Sequence, residues 1–329
     1  MLVDKAKIIA RAERAIREKA FPGCVIGVSQ NGTREILVTG GFTYEDSSPR
    51  VTADTVYDLA SITKSIPTAS LALTFISEGK LQLSDPVKKY IPELQNDYGA
   101  TIEDLLRYRV RGARMSTLPY RTFEEVRTHI IENGFDGPPG SSAYANAPAF
   151  VLGIVLERIA GSSLAVLGHR YFFEPLGMKH TSFFPAESDC APTEIQSGEV
   201  IQGIAHDEST RIFARARRTV GHAGLFSTAG DLLKFLEAML DGRLSVVREG
   251  AQLGLGWAIA EPWFAGSHVS DSAFGKTGFT GTSVLVDGAK TTALVILSNR
   301  TYPTRPPDAA SQESAINIFR RDIADIVFA

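Results

Sequence analysis

Ser61 and Lys64 stand three residues apart in the stretch Asp58-Leu59-Ala60-Ser61-Ile62-Thr63-Lys64. On a helix, residues i and i+3 share a face, so the amine of Lys64 can reach the hydroxyl of Ser61. A serine hydroxyl is a weak nucleophile until a base takes its proton, and an amine one turn away can be that base. If the pair opens a helix, the positive end of the peptide dipoles favours an alkoxide or a nearby oxyanion. Ser77-Glu78-Gly79-Lys80 repeats the spacing as a decoy, in which Gly79 stops a helix and the lysine is solvated.

Two further clusters could complete such a site. Ser141-Ser142-Ala143-Tyr144-Ala145-Asn146 lies in a loop before a helix. Tyr144 can act as an acid–base group if a neighbouring positive charge lowers its pKa. The alternative is a tyrosine that packs its ring while Asn146 caps the helix beginning at 147. The second cluster, Phe274-Gly275-Lys276-Thr277-Gly278-Phe279-Thr280-Gly281, sits on a strand. Its glycines allow close approach of a substrate backbone or oxyanion, Lys276 offers charge and Thr277 a hydroxyl. A bulged strand with a solvated lysine is the plainer reading.

The elements that must position these residues follow from periodicity and breakers. Ile8, Ile9, Ala12, Ala15 and Ile16 recur at helical spacing between Asp4 and Lys19, and Phe21-Pro22-Gly23 ends that helix. Cys24–Ser29 and Glu35–Thr39 read as strands joined through Asn31-Gly32. Pro67, in the second turn after Ser61, lacks the N–H that would bond Thr63, so a kink or an irregular first turn is expected. Helices are predicted at 68–78, 101–109, 122–132, 147–160, 163–174 and 230–240, separated by loops such as 134–143 and 185–199. Strands return at Leu253–Ile259, Ala273–Thr277, Thr282–Asp287 and Ala293–Ser298, followed by a terminal helix at about 310–327. The predicted class is α/β in the α+β sense: an antiparallel sheet flanked by terminal helices, with an inserted helical lobe. The sheet lobe would comprise residues 1–60 plus 245–329 and the helical lobe residues 61–244, with the site between them.

Composition narrows the partners. The 329 residues are 44% hydrophobic and 22% charged, with a formal net charge of −3, which does not suggest nucleic acid or an anionic membrane. Cys24 and Cys190 are far apart, and Cys24 reads as a small core residue. No apolar stretch has the length of a membrane span. The start, Met1-Leu2-Val3-Asp4-Lys5, lacks a signal-peptide core, so a cytoplasmic protein is expected. The six histidines show no metal-ligand spacing, and no Walker or Rossmann glycine pattern occurs, so no metal or cofactor is expected. His206, Asp207 and His222 read as groups that order loops. Nothing in the sequence sets the oligomeric state.

Taken in order, Ser61-x-x-Lys64, Tyr144-x-Asn146 and Lys276-Thr277-Gly278 resemble the motif series of the serine β-lactamases and penicillin-binding proteins. The resemblance is nearest to the class C-like branch, which also holds D,D-peptidases, D-aminopeptidases and β-lactamase-like carboxylesterases. Similar segments extend over most of the chain: Ala60–Leu73, Glu78–Leu81, Asp85–Val87, Tyr90–Pro92, Pro138–Gly140, Gly221–Thr228 and Gly275–Thr282. The resemblance implies that Ser61 is the acylated nucleophile, Lys64 its proton acceptor and Tyr144 a general base or a proton shuttle to the leaving group. It implies that Asn146 holds a substrate amide or Lys64, and that Lys276 and Thr277 hold a carboxylate. The N–H groups of Ser61 and Phe279 would form the oxyanion hole, with Gly278 between that hole and Thr277.

The expected activity is therefore cofactor-free hydrolysis of a small ester, amide or β-lactam through an ester on Ser61. A carboxylesterase or amidase suits a cytoplasmic protein better than a resistance enzyme, whereas the Lys-Thr-Gly spelling suits a β-lactam or peptide carboxylate. The rival is a penicillin-binding or scaffolding protein that keeps the fold without turnover. One segment departs from the relatives: where they commonly continue His-Thr-Ser-Gly-Leu, this chain reads Arg107-Tyr108-Arg109-Val110-Arg111-Gly112-Ala113-Arg114-Met115. Arg107, Arg109, Arg111 and Arg114 with Arg211, Arg215, Arg217 and Arg218 would give the site a cationic mouth and an anionic substrate. Solvated or ion-paired arginines are the alternative.

Overall fold

The computed structural model describes residues 3–308 and 311–329. Met1 and Leu2, and the start expected for the terminal helix near residue 310, lie outside the described residues.

Six strands form one antiparallel sheet in the order Thr33–Gly40, Gly23–Gln30, Thr292–Ser298, Ser283–Asp287, Phe274–Thr277, Ala258–Ile259. Three interior strands, Gly23–Gln30, Thr292–Ser298 and Ser283–Asp287, are buried along nearly their whole length because both faces of the sheet are covered. On one face Cys24, Ile26 and Val28 pack with Phe319 and Ile323 of helix Ala315–Phe328 and with Ile8 of helix Lys5–Arg17. Val25 and Val295 turn to the other face and join the core around Leu232 and Leu233 of helix Ala229–Leu240. Phe21 and Phe319 meet edge to face, 4.8 Å between centroids. Each buries a full aromatic side chain, a contribution of about 2 kcal/mol. Arg11 and Asp322 join the two terminal helices at 2.6 Å.

Between the N- and C-terminal strands, the chain runs mainly through helices. Thr101 and Thr122 each close a capping box, with Asp104 and Glu125, and so fix the starts of helices Ile102–Leu106 and Phe123–Asn133. Helix Ala147–Ala160 starts immediately after Asn146 and is buried from Ala147 to Leu156. Among the described residues no single helix is long and apolar enough to cross a membrane.

Three segments differ from the expectation. The strand foreseen over Leu253–Ile259 shrinks to Ala258–Ile259. Helix Ser245–Gln252 occupies the preceding residues, and Gly254 and Gly256 take positive φ values of 73° and 72° that no strand accommodates. Helix Glu208–Arg215, capped by Asp207 on the Thr210 N–H at 2.9 Å, was not foreseen. The loop foreseen over 185–199 contains the first strand of a small hairpin, Glu194–Gln196 with Glu199–Ile201.

Candidate active site

The segment that carries Ser61 is not a regular α-helix. It opens as a 3-10 turn, Ala60–Lys64, passes through a π-helical turn, Ser65–Ala69, and becomes α-helical only at Ser70–Ser77. Ile66, just before Pro67, is non-helical at φ −116° and ψ 111°, the irregularity that the proline predicts. In a 3-10 turn, three residues make one revolution, so positions i and i+3 eclipse. Lys64 therefore lies directly over Ser61, with Nζ to Oγ 2.9 Å. Ala60, one residue earlier, holds a left-handed φ of 45°, a strained conformation for a residue with a Cβ. Its N–H donates to Asp58 Oδ1 at 2.8 Å, which helps to hold the strain.

Hydroxyl side chains tie this segment to its surroundings. Thr280 Oγ1 donates to the Asp58 carbonyl at 2.6 Å and Thr282 Oγ1 to the Leu59 carbonyl at 3.2 Å. Ser65 Oγ donates to the Gly256 carbonyl at 2.7 Å and Thr68 Oγ1 to the Gly221 carbonyl at 2.9 Å. Thr63 Oγ1 accepts the Leu225 N–H at 3.1 Å. The nucleophile segment is thus fixed from the sheet side and from the Gly221–Leu225 side together.

Lys64 is 1% exposed. Its Nζ donates to Ser61 Oγ and to the His222 carbonyl oxygen, each at 2.9 Å. Burial lowers its pKa to about 7, against the opposing pull of the Asp207 charge, so a large fraction is a neutral amine near neutral pH. Lys276, on the inner strand Phe274–Thr277, is also buried, and burial brings it to about 8. The Tyr144 ring lies between the two amines, its centroid 5.0 Å from Lys64 Nζ and 5.0 Å from Lys276 Nζ.

Tyr144 itself is 60% exposed. Crowding by protein atoms nevertheless raises the pKa of its phenol, opposed by the Lys276 charge and the Ser61 hydroxyl. Its exposed face borders open space that a bound molecule would fill, and filling it would complete the desolvation of the phenol.

The structure thus brings Ser61, Lys64, Tyr144 and Lys276 together. Asn146 immediately precedes helix Ala147–Ala160, and its side chain makes no capping hydrogen bond, so the reading of it as a helix cap is not what the fold uses. Thr277 ends its strand opposite Ser283. Gly278 follows, where its N–H bonds the Thr282 carbonyl at 2.7 Å and a Cβ would stand 2.1 Å from Thr282 Oγ1 and 2.4 Å from the Leu59 carbonyl oxygen. Gly278→Ala is therefore expected to push the Phe279 turn off the Ser61 segment, reducing kcat/KM by about tenfold or more and lowering Tm by several degrees. Thermal melting read beside kinetics would check it. The Phe279 N–H makes no hydrogen bond among the described residues, and Ser61 N–H lies in the first turn, where no intrahelical acceptor exists.

Sequence reasoning missed several contributors. Tyr108, at a left-handed φ of 54°, is buried and places its hydroxyl 3.3 Å from Lys276 Nζ and its ring 5.5 Å from that of Tyr144. The departing segment was read for its arginines, yet its tyrosine is what enters the site. It also positions Tyr144: Ala143 N–H bonds the Tyr108 carbonyl at 2.8 Å and Ser142 Oγ the Arg107 carbonyl at 2.8 Å. Buried Arg320, from the terminal helix, donates to the carbonyls of Gly278 at 2.9 Å and Thr282 at 2.6 Å, bracing the turn that carries Phe279.

The arginines behind the expected cationic mouth are largely engaged elsewhere. Arg107 pairs with Glu103 at 2.7 Å, and Arg109 with Asp104 at 3.6 Å. Arg211 is buried against Gln196 and the His206 carbonyl. Arg217 and Arg218 lie over the rings of Phe184 and Phe123. Within the site, the positive charge comes from the two lysines.

The chain is 29% identical over 314 residues to an Escherichia coli (strain K12) protein that carries the provisional name D-alanyl-D-alanine carboxypeptidase, covering 77% of this chain and 71% of that protein. It is 26% identical to the N-acetylmuramyl-L-alanine amidase of Bacillus subtilis (strain 168), covering 92% of this chain and 81% of that one. Among solved structures it is similar to EstCE1, a hydrolase with promiscuous acyltransferase activity, with a TM-score of 0.76, 21% identity and 98% of each chain covered. It is also similar to the octameric penicillin-binding protein homologue from Pyrococcus abyssi, with a TM-score of 0.74, 22% identity and 91% and 74% covered. These two likenesses establish the fold. The sequence profile described as Beta-lactamase matches residues 9–316, so the chain belongs to the Beta-lactamase family.

Proposed function

We propose that this protein is a serine hydrolase that forms an acyl-enzyme on Ser61 and hydrolyses an ester or amide of a carboxylate-bearing substrate. The observation that carries the reading is the contact of a buried, partly neutral Lys64 amine with Ser61 Oγ at 2.9 Å. In the proposed sequence Ser61 Oγ attacks the acyl carbon while its proton passes to Lys64. The carbonyl oxygen becomes an oxyanion, stabilised by the N–H groups of Ser61 and Phe279. Tyr144, between the two amines, delivers a proton to the leaving group as the carbonyl reforms. Water then attacks the Ser61 ester and gives its proton to Tyr144, the Ser61–acyl bond breaks, Ser61 Oγ recovers the proton held by Lys64, and the acid leaves. Lys276 and Thr277, with the Tyr108 hydroxyl behind Lys276, would hold the substrate carboxylate. We further propose that this cleft lies between the sheet lobe, residues 1–60 plus 245–329, and the helical lobe, residues 61–244.

The names of two relatives, a carboxypeptidase and an amidase, favour an amide or peptide bond, and EstCE1, a hydrolase with promiscuous acyltransferase activity, shares the fold. Hydrolysis of an activated aryl ester, the corresponding anilide and a chromogenic β-lactam, each carrying a carboxylate, separates these. Whichever is turned over should slow by about 10³-fold or more in Ser61→Ala. An unchanged rate in that variant would refute the assignment. A single stoichiometric release of chromophore with no further turnover would instead place the protein with non-turnover penicillin binders.

A further inference from the structure

Asp207 and His222 carry no role in the mechanism above, yet they form a polar network directly behind Lys64. The His222 carbonyl holds Lys64 Nζ at 2.9 Å. Its imidazole is fully buried, with Nε2 3.6 Å from Asp207 Oδ1 and 3.1 Å from Thr210 Oγ1, while Nδ1 has no partner among the described residues. An unpartnered buried nitrogen favours the neutral ring with its proton on Nε2, directed at Asp207 and Thr210. The same Asp207 oxygen accepts Ser209 Oγ at 2.6 Å, the Thr210 N–H at 2.9 Å and Thr210 Oγ1 at 3.0 Å. Burial alone would favour the protonated acid, but these donors hold Asp207 firmly as a carboxylate.

We propose that Asp207, clamped by His222, Ser209 and Thr210, is the counter-charge of Lys64 and a positioning residue that sets its protonation. The groups facing Lys64 are Ser61 on its own turn, Tyr144 ahead of helix Ala147–Ala160, Lys276 on the sheet, and His222 with Asp207 behind. The Lys64 charge disfavours the charged form of Lys276. Asp207 is the carboxylate whose charge reaches both Lys64 and the Tyr144 phenol, favouring the protonated form of each. A lysine needed as a neutral base is thus kept from losing its proton too readily, so that it can also return one. This inference rests on the proposed role of Lys64 as the proton acceptor of Ser61.

The plain alternative is that Asp207 serves only as the N-cap of helix Glu208–Arg215. Asn and Ser are good caps as well, whereas Glu is not. The pH profile of kcat/KM for Asp207→Asn, Asp207→Ser and Asp207→Glu therefore separates the two roles. If the charge matters, Asn and Ser move the acidic limb to lower pH together. At pH 6 each would then gain about threefold to tenfold relative to its own high-pH plateau, one pH unit of movement being tenfold. Glu keeps the limb in place even if its plateau falls. If either neutral variant fails to fold, the other carries the test. An acidic limb at the wild-type pH in the neutral variants, with only uniform changes in rate, would overturn the proposal. Mass analysis of the Ser61 acyl group in the same samples isolates the cause. An acyl-enzyme with an unmoved limb defeats this inference alone, whereas turnover without any acyl-enzyme defeats the reading beneath it.

Discussion

Replacing Lys64 by methionine is expected to abolish acylation of Ser61 and, at the same time, to make the protein more stable at pH 6. Both effects follow from the place of the amine, which touches Ser61 Oγ and is buried away from the water that would solvate its charge. Loss of the base leaves Ser61 at the reactivity of an ordinary alcohol, a fall of about 10³-fold or more in acylation rate. On stability, the folded pKa of Lys64 is about 7 against 10.5 for a free lysine, because burial disfavours the charged form. The unfolded chain therefore binds the proton more tightly than the fold does. Lys64 favours the fold most above its unfolded pKa, and that contribution is lost as the pH falls through 10 toward 7. Methionine fills a similar volume without the charge, though it leaves the His222 carbonyl without its donor. The balance at pH 6 is a gain on the order of 2 kcal/mol, a rise of roughly 4 °C in Tm. The difference in Tm between variant and wild type should shrink steadily as the pH is raised toward 10. A variant less stable than wild type at pH 6 would mean that the amine is not charged there or is not as enclosed as the fold places it.

Tyr144→Phe and Tyr108→Phe are expected to differ sharply, although the two phenols lie side by side. Tyr144 lies between Lys64 and Lys276, and in the proposed sequence its proton goes to the leaving group, so its loss should lower kcat by about 10² to 10³-fold. Tyr108 meets only the second of these amines, accepting from Lys276 Nζ at 3.3 Å. On the proposed reading, its hydroxyl orients the charge that binds the substrate carboxylate. Removing it should raise KM for a carboxylate-bearing ester about threefold to tenfold and leave kcat within about threefold. For the neutral analogue of that ester, Tyr108→Phe should change little. Equal losses of kcat in both variants would place Tyr108 in the proton path and move it out of the binding group.

The residues legible in the sequence are those whose partners lie close along the chain. Ser61 and Lys64 meet because they are three residues apart in a tight turn, and the irregularity after them follows from the missing N–H of Pro67. The central strands were legible because their apolar runs, Asn31-Gly32 turn and Asp287-Gly288 turn constrain pairing locally. Contacts spanning the chain were not. Tyr108 meets Lys276 across 168 residues and Lys64 meets the His222 carbonyl across 158, and neither side chain announces its partner. Leu253–Ile259 read as a strand from its alternating apolar residues, but the intervening glycines adopt conformations that a strand excludes. Helix Glu208–Arg215 did have a local signal, the Asp207 cap, which was overshadowed by the arginines that follow it. Those arginines also misdirected the reading of charge. Arg107, Arg109 and Arg211 have partners supplied by the fold, whereas the site's positive charge rests on Lys64 and Lys276.

The most direct test of the account is intact-mass analysis within seconds of mixing the protein with the carboxylate-bearing aryl ester, followed by peptide mapping. The account predicts a mass increase equal to the acyl group, located on the peptide that contains Ser61 and absent from Ser61→Ala. Steady turnover by the wild type without that adduct under any quench, together with undiminished turnover by Ser61→Ala, would contradict it.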